Sequence, residues 1–409
     1  MATYFKNTEL ASRYNISEAT VRNWVKSARD GKLALILTQQ RGRFYVANEI
    51  SNIPIIEDLV KSNRKYRNTL TSRTVSPSAE LFSTYNVGEI YDIIRSLELH
   101  REIPRQYGYF GKGAKDWDEY IGKQMSVDVP SIVRRSIELL AANYSYLDER
   151  LAKFKKVNVI DIGVGNGRPV KELLEHLIVQ GKAVHYLGLD FSNDMLDIAI
   201  ANLKGWLGER VTFSRHQLDI AQHRFADKLF DDYFRPEQDT VNLVLFLGAT
   251  PANLRNPSDA FRAICDSMNP NDILIYTDGI NPKRVPEWFE HSYESRPRKP
   301  EILDRHKFVF NLLNIHESFY TPELGFDLVS QQSYSRAKLK YALKLVFDLG
   351  SGRRVVNLEK GDSITVWRCW QPVVADLMNI LESTGFYVLH TSQSQDHNYI
   401  LTIAEVKRS

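Results

Sequence analysis

The chain has 409 residues, 43% hydrophobic and 25% charged, and carries a net charge of +3. That is long enough for two or three domains with a large core, and too apolar for a disordered chain. Two cysteines, Cys265 and Cys369, exclude a disulfide framework or a cysteine-based zinc site. They fit a reducing, cytoplasmic compartment. No stretch approaches the roughly 18 apolar residues of a membrane span, and the opening Met1-Ala2-Thr3-Tyr4-Phe5-Lys6 is not a signal peptide. The ten histidines show no ligand spacing, so no metal is expected.

Charge is unevenly spread. Residues 1–75 hold 13 Lys/Arg and 6 Asp/Glu, whereas the remainder holds 40 and 44. A basic head on a mildly acidic body suggests a separate module with an anionic partner, or a small helical domain that is simply basic. Within the head, Thr8 is placed to cap a helix over 8–14, and Asn15-Ile16 forms a tight turn. Ser17 caps a second helix to about 29, and Gly31 sits at its C-terminal cap. Val21, Trp24, Val25 and Ala28 make the buried stripe. Residues 33–46 predict a hairpin about Gln39-Gln40-Arg41-Gly42, a helix starts near Pro54, and 61–78 reads as a linker.

Helices are expected over 79–103 and 126–151. A glycine- and aromatic-rich loop from Pro104 to Ala114 lies between them. From 157 onward short apolar runs alternate with amphipathic segments: 157–162, 184–189, 211–213, 243–247 and 273–277. Continuous apolar strands with helical crossovers imply a parallel sheet covered on both faces. Further strands are expected near 363–370, 386–391 and 398–405, with a helix over 372–385.

The strongest chemical signal is Val159-Ile160-Asp161-Ile162-Gly163-Val164-Gly165-Asn166-Gly167, a strand running into a glycine turn and a helix from 170 to about 179. The glycines allow a tight turn and close approach of a ligand to the backbone. Asp190 ends the next strand, 27 residues after Gly163, where an acid can accept from both ribose hydroxyls. Asp219 follows the third strand, where an adenine amino group can be read. A dinucleotide site calls for Gly-x-Gly-x-x-Gly, and here the third glycine comes one position early. The remaining alternative is a plain tight turn with acids serving as helix caps.

The loop and the two acids resemble class I S-adenosylmethionine-dependent methyltransferases. A second set is similar to the histidine Nα-methyltransferases of ergothioneine synthesis: Phe246-Leu247-Gly248-Ala249-Thr250-Pro251-Ala252-Asn253-Leu254, Ile103-Pro104…Tyr109…Gly113-Ala114…Trp117, Pro270-Asn271-Asp272 and Asp278-Gly279. The resemblance covers about 100–409. It implies that Asp161, Gly163, Gly165, Asp190, Phe191, Asp219 and Ile220 hold the cofactor S-adenosylmethionine. It also implies that Tyr109, Gly248, Asn253, Tyr293 and Trp367 face a substrate. The chain departs from that pattern in three places. No tyrosine pair stands near 126–131, Arg168-Pro169 replaces the loop lysine, and Trp367 and Cys369 stand where the family has an imidazole-reading Glu-x-Ser. A site lacking those partners discriminates poorly for an imidazole, so a larger or more aromatic acceptor than histidine is expected. Core packing is the competing role for Trp367, and Cys369 is expected to be buried and inert.

Residues 8–46 resemble the winged helix-turn-helix of MerR-type and excisionase-type domains. That resemblance would present Thr20, Arg22, Asn23 and Lys26 to a DNA major groove, with Arg41 and Arg43 on the wing. Protein contact or dimerisation is the alternative use of the same pattern, and a homodimer is a further expectation. The exocyclic-amine base methyltransferases carry an Asp/Asn-Pro-Pro-Tyr/Phe loop, which is absent after Leu247.

The expected fold is thus α/β. It comprises a Rossmann-like seven-stranded class I methyltransferase core, an added α+β substrate domain and an N-terminal winged helix-turn-helix. The expected segments are 1–75 (DNA-binding-like), 79–150 (helical, substrate-side), 151–280 (cofactor core), 281–355 (insertion completing the substrate domain) and 356–409 (C-terminal strands and helix). The expected activity is N-methylation of an amino acid, a peptide or a related small amine. The alternatives are a DNA-binding transcription regulator with a ligand-sensing body, and a methyltransferase acting on a docked macromolecule.

Overall fold

The computed structural model describes residues 4–14, 16–127, 131–229, 239–281, 300–350 and 352–407, with side chains of 63–71 excluded. The chain divides into two compact units. The first is Met1–Thr74 with Tyr341–Lys344 and Asn357–Lys360, and the second is the remainder.

In the first unit, helices Asn7–Tyr14 and Glu18–Arg29 pack Leu10, Ala11, Val21 and Trp24 against Val46 of a small sheet. The Ser17 hydroxyl accepts from the Thr20 N–H at 3.2 Å, which starts the second helix. Strands Leu37–Gln40 and Arg43–Ala47 pair antiparallel across Arg41 and Gly42, both at positive φ (48° and 78°). Residues 33–36, expected in the first strand, lie outside it. The buried Asn52 amide spans the backbone of Ile36 and Ala47 at 2.8–2.9 Å. The linker expected at 61–78 is corrected: helix Asn52–Thr71 runs through its first half, and Arg73–Val75 is a strand. The polar composition that suggested a linker is also what an exposed helix face carries.

In the second unit a short helix, Ala79–Thr84, precedes α1 (Val87–His100), α2 (Lys112–Ser126) and α3 (Ile132–Ala142), and a further helix, Tyr144–Leu151, leads into the sheet. The strand–helix alternation follows: β1 (Lys156–Ile162), α4 (Lys171–Val179), β2 (Ala183–Asp190), α5 (Asn193–Leu207), β3 (Thr212–Gln217), β4 (Thr240–Phe246), α6 (Pro257–Cys265) and β5 (Ile273–Gly279). It closes with α7 (Val374–Ser383), β6 (Phe386–Gln393) and β7 (Tyr399–Val406). The seven strands form one sheet in the order 6-7-5-4-1-2-3. β1 to β5 are parallel, and β7 inserts antiparallel between β5 and β6.

Because side chains alternate along a strand, each apolar run feeds two cores. Val157 and Val159 of β1 pack with Leu174 of α4 and Leu203 of α5 on one face. Ile160 and Ile162 pack with Phe261 of α6 and Leu377 of α7 on the other. Both faces are covered, which leaves the carboxyl end of the strands as the place for a ligand. The order reverses between β1 and β4, and that is where a doubly wound sheet leaves its crevice.

The segment between β5 and α7 also adds an antiparallel sheet that the sequence pattern did not announce: Tyr320–Asp327, Gln332–Leu339 and Ser363–Trp370. Only the last was expected. A register shift between Ser335 and Arg336 leaves Ser335 opposite Trp367 and Arg336 opposite Thr365. α2 is a second addition: the loop expected to reach Ala114 gives way at Lys112 to a helix.

Candidate active site

The site is a pair of adjoining cavities at the carboxyl end of the sheet. The first opens over the glycine turn after β1. Gly163, Gly165 and Gly167 all have positive φ (73°, 52° and 78°), a region that favours glycine. A Cβ on Gly163 would lie 2.3 Å from Thr250 Oγ1 and 2.6 Å from its Cγ2, so the turn packs directly under the loop after β4. From the other side, Asn166 donates to Asp118 of α2 at 2.9 Å, and the Asn202 amide of α5 donates to the Asn166 carbonyl at 3.1 Å. Trp117 on α2 comes within 3.7 Å of the position a Gly165 Cβ would take. The 104–114 segment is tied down as well, through Ser192 Oγ to the Tyr109 carbonyl at 2.6 Å and the Gly111 N–H to Asp194 at 2.7 Å.

Gly163, Gly165, Asp190, Phe191, Asp219 and Ile220 line this first cavity. The Asp190 carboxylate accepts from the Ser192 N–H at 2.9 Å. Burial pushes Asp190 up to about 6, while backbone N–H groups of Ser192, Phe191, Val164 and Gly165 pull it back. The Asp219 carboxylate accepts from the Ala221 N–H at 3.0 Å and from the Gln222 amide at 2.9 Å, which fixes the turn carrying Ile220; burial raises its pKa. Asp161 differs from the rest. It is buried, accepts the Tyr186 hydroxyl at 2.8 Å and is not on the cavity wall. Burial pushes it up to about 7; the Tyr186 hydrogen bond opposes the rise and Asp190 adds to it. A turn with glycine at every second position beside a half-buried strand-end carboxylate fits a nucleoside with its sugar toward Asp190.

The second cavity shares Arg105, Tyr109, Trp117 and Asn253 with the first and extends to Asp278, His306, Trp367 and Cys369. Asn253 ends the 3-10 turn Pro251–Asn253 after β4. Among the described residues its side-chain amide has no hydrogen-bond partner, so it is not spent on an Asx turn. Gly248 (φ 71°) lines the first cavity and donates its N–H to Thr277 Oγ1 at 3.2 Å. Trp367 is half-buried and stacks on His306, with ring centroids 5.2 Å apart and planes within 8°. His306 is pushed down to about 2 by burial, reinforced by Arg105 and Arg305, so it is neutral at any ordinary pH. The Cys369 thiol is raised by burial and by Asp278, yet it lies on the cavity wall instead of inside the core. The wall is held from behind by Glu102. Its carboxylate receives Arg255 Nη2 at 2.8 Å and Arg368 Nε at 3.0 Å, linking the Asn253 loop to the strand of Trp367.

Tyr293 lies outside the described residues. In the first unit Arg22, Asn23, Arg41 and Arg43 are exposed, while Thr20 is half-buried and Lys26 is exposed to the solvent side of its helix. Arg22 pairs with Glu18 at 3.0 Å, and the Thr20 hydroxyl hydrogen-bonds with that of Ser17 at 2.8 Å. Sequence reasoning missed Arg105, Asp118, His306 and the Glu102 cluster. Arg105 directly follows Pro104, but nothing in the sequence marks it as buried, and no periodic pattern announces His306.

The family described as "Histidine-specific methyltransferase, SAM-dependent" matches residues 90–406. "Ergothioneine biosynthesis protein 1" of Neurospora crassa is 31% identical over 169 residues, which is 39% of this chain and 17% of that protein. The chain therefore spans a small part of that relative's length. Among solved structures, an S-adenosylmethionine-dependent methyltransferase from Clostridium acetobutylicum is 9% identical with a TM-score of 0.36, covering 72% of this chain and 99% of its own. Magnesium protoporphyrin IX methyltransferase from Synechocystis with bound S-adenosylhomocysteine is 13% identical with a TM-score of 0.38, covering 74% and 97%. The family match takes in the whole seven-stranded sheet and every residue named in the two cavities, and on it the chain belongs to the histidine-specific, S-adenosylmethionine-dependent methyltransferase family.

Proposed function

We propose that the protein N-methylates a free amino acid, a peptide or a related small amine other than histidine. The observation that carries this reading is the junction of the two cavities, where Tyr109, Trp117 and the unpartnered Asn253 amide face both. S-adenosylmethionine supplies an electrophilic methyl group when bound. The protein's part is to bind, align and keep water out. Gly163 and Gly165 leave the backbone open to the cofactor's amino acid end, and Asp190 accepts from the ribose hydroxyls with Phe191 beside it. The Asp219–Ile220 turn reads the adenine. Asp161 supports this floor from beneath, through Tyr186. Asn253 and Gly248 take the polar end of the acceptor, Tyr109 closes over it, and Tyr293 is assigned to assist. An amine that has already lost its proton needs no base from the protein, and none is assigned.

Trp367 and the neutral His306 behind it give the acceptor's side chain an aromatic wall. With Trp367 in place of the family's acid, an imidazole loses that hydrogen-bond partner. The test is transfer of labelled methyl from the cofactor to pools of amino acids, peptides and amines. Incorporation into one pool supports the reading. Absence from all of them favours a ligand-sensing regulator.

The first unit is proposed to bind DNA through Thr20, Arg22, Asn23, Lys26, Arg41 and Arg43. Affinity for duplex DNA is then salt-dependent. Replacing Arg41 and Arg43 lowers the slope of log K against log salt by about 1 for each phosphate no longer neutralised. Deleting residues 1–75 preserves activity on small amines; if the substrate is a macromolecule docked by that unit, activity falls instead.

A further inference from the structure

Arg105 occupies the junction of the two cavities and lines both of them. The residue is 9% exposed. Its guanidinium lies over the Tyr109 ring at 4.6 Å and donates Nη1–H to the Arg305 carbonyl at 3.0 Å. Gly108 makes room for it, since a Cβ there would lie 2.6 Å from Nη1. Among the described residues no carboxylate pairs with Arg105, and that one carbonyl is the only acceptor of its five N–H donors. A guanidinium this buried is expensive without an anion to complete it. Elsewhere in the unit, half-buried Arg368 has such an anion in buried Glu102.

We infer that Arg105 is a specificity-determining residue that binds a carboxylate on the ligand side of this junction, in a chain lacking the family's tyrosine pair near 126–131. The fork geometry suits a planar carboxylate, and the Tyr109 ring holds the fork in place. Two carboxylates meet at the junction: that of the acceptor, if it is an amino acid, and that of the cofactor's methionyl end. The inference rests on the proposed reading that an acceptor occupies the second cavity.

The experiment reads equilibrium binding and needs no turnover, so it stays separate from the methyl-transfer assay. Calorimetry compares two pairs that differ by a carboxylate, on the full chain and on Arg105→Gln. The pairs are S-adenosylhomocysteine against 5′-methylthioadenosine, and L-tryptophan against tryptamine on protein saturated with S-adenosylhomocysteine. The full chain prefers the carboxylate-bearing member of at least one pair. In Arg105→Gln that preference drops about tenfold, while the carboxylate-free member binds within about twofold of its original affinity. Loss in the first pair assigns the cofactor's carboxylate; loss in the second assigns the acceptor's. Arg105→Lys keeps the charge without the fork and retains part of the preference; it is the variant to read should Arg105→Gln not fold. The inference is overturned if the full chain shows no preference in either pair, or if both variants retain the preferences unchanged.

Discussion

The placement of Asp190 can be tested through both its charge and its pKa. In Asp190→Ala the ribose loses two hydrogen bonds to a carboxylate. Charge-assisted bonds of this kind carry about 1.5–3 kcal/mol each, part of which water returns, so a net loss of about 2–3 kcal/mol is expected. That corresponds to a Kd for S-adenosylhomocysteine raised about 30- to 150-fold. The pKa adds a second handle. The ionised form is the stronger acceptor, and burial has pushed the group up to about 6. Affinity is therefore full above that value and declines as the pH falls through it, by about tenfold at pH 5. Asp161, pushed up to about 7, titrates in the same range but lies off the cavity wall. The acid-side loss should persist in Asp161→Asn and vanish in Asp190→Ala. Calorimetry across pH on the three proteins decides it. Unchanged affinity in Asp190→Ala, or a flat pH profile for the unmodified chain, would refute the assignment.

Gly163→Ala puts a methyl group 2.3–2.9 Å from three atoms of Thr250 at a φ of 73°, so no rotation of the threonine relieves it. We expect a lower Tm and loss of S-adenosylhomocysteine binding; a variant that binds normally defeats the account of the turn. Glu102→Gln leaves Arg368 facing Arg255 without the shared anion. Because Arg255 is 42% exposed, the cost falls at the low end for a broken buried pair, about 3 kcal/mol. Denaturant unfolding measures this, and a midpoint like the parent's would argue against the network. Trp367→Glu combined with Cys369→Ser rebuilds the acid–x–serine pattern of the family. Methylation of L-histidine should rise by at least about tenfold, the return on one buried charge-assisted hydrogen bond. If histidine turnover is already high in the parent chain, the proposed exclusion of histidine falls.

The chain sequence by itself carried the core of this protein. Mostly apolar runs such as 157–162 read as strands buried on both faces, and their alternation with amphipathic helices points to a parallel sheet. The glycine turn and the strand-end acids then mark the open edge, because positive φ and a lone acid after an apolar strand leave a local signature. What the sequence could not announce depends on partners far along the chain. The strand Tyr320–Asp327 holds Pro322 and Gly325, which argue against a strand, and Gln332–Leu339 is rich in Ser, Gln, Arg and Lys. The helical run of 61–71 reads as a linker in sequence because Ser, Asn, Arg and Lys are at home in loops as well as in helices. Asp161 read as a cofactor ligand from its position opening the loop, and only packing turned it toward Tyr186. Arg105 reads as one more surface cation until folding brings Tyr109 beneath it and Arg305 alongside. Burial and pairing are properties of the assembled chain, and they decide which of its charges remain free for chemistry.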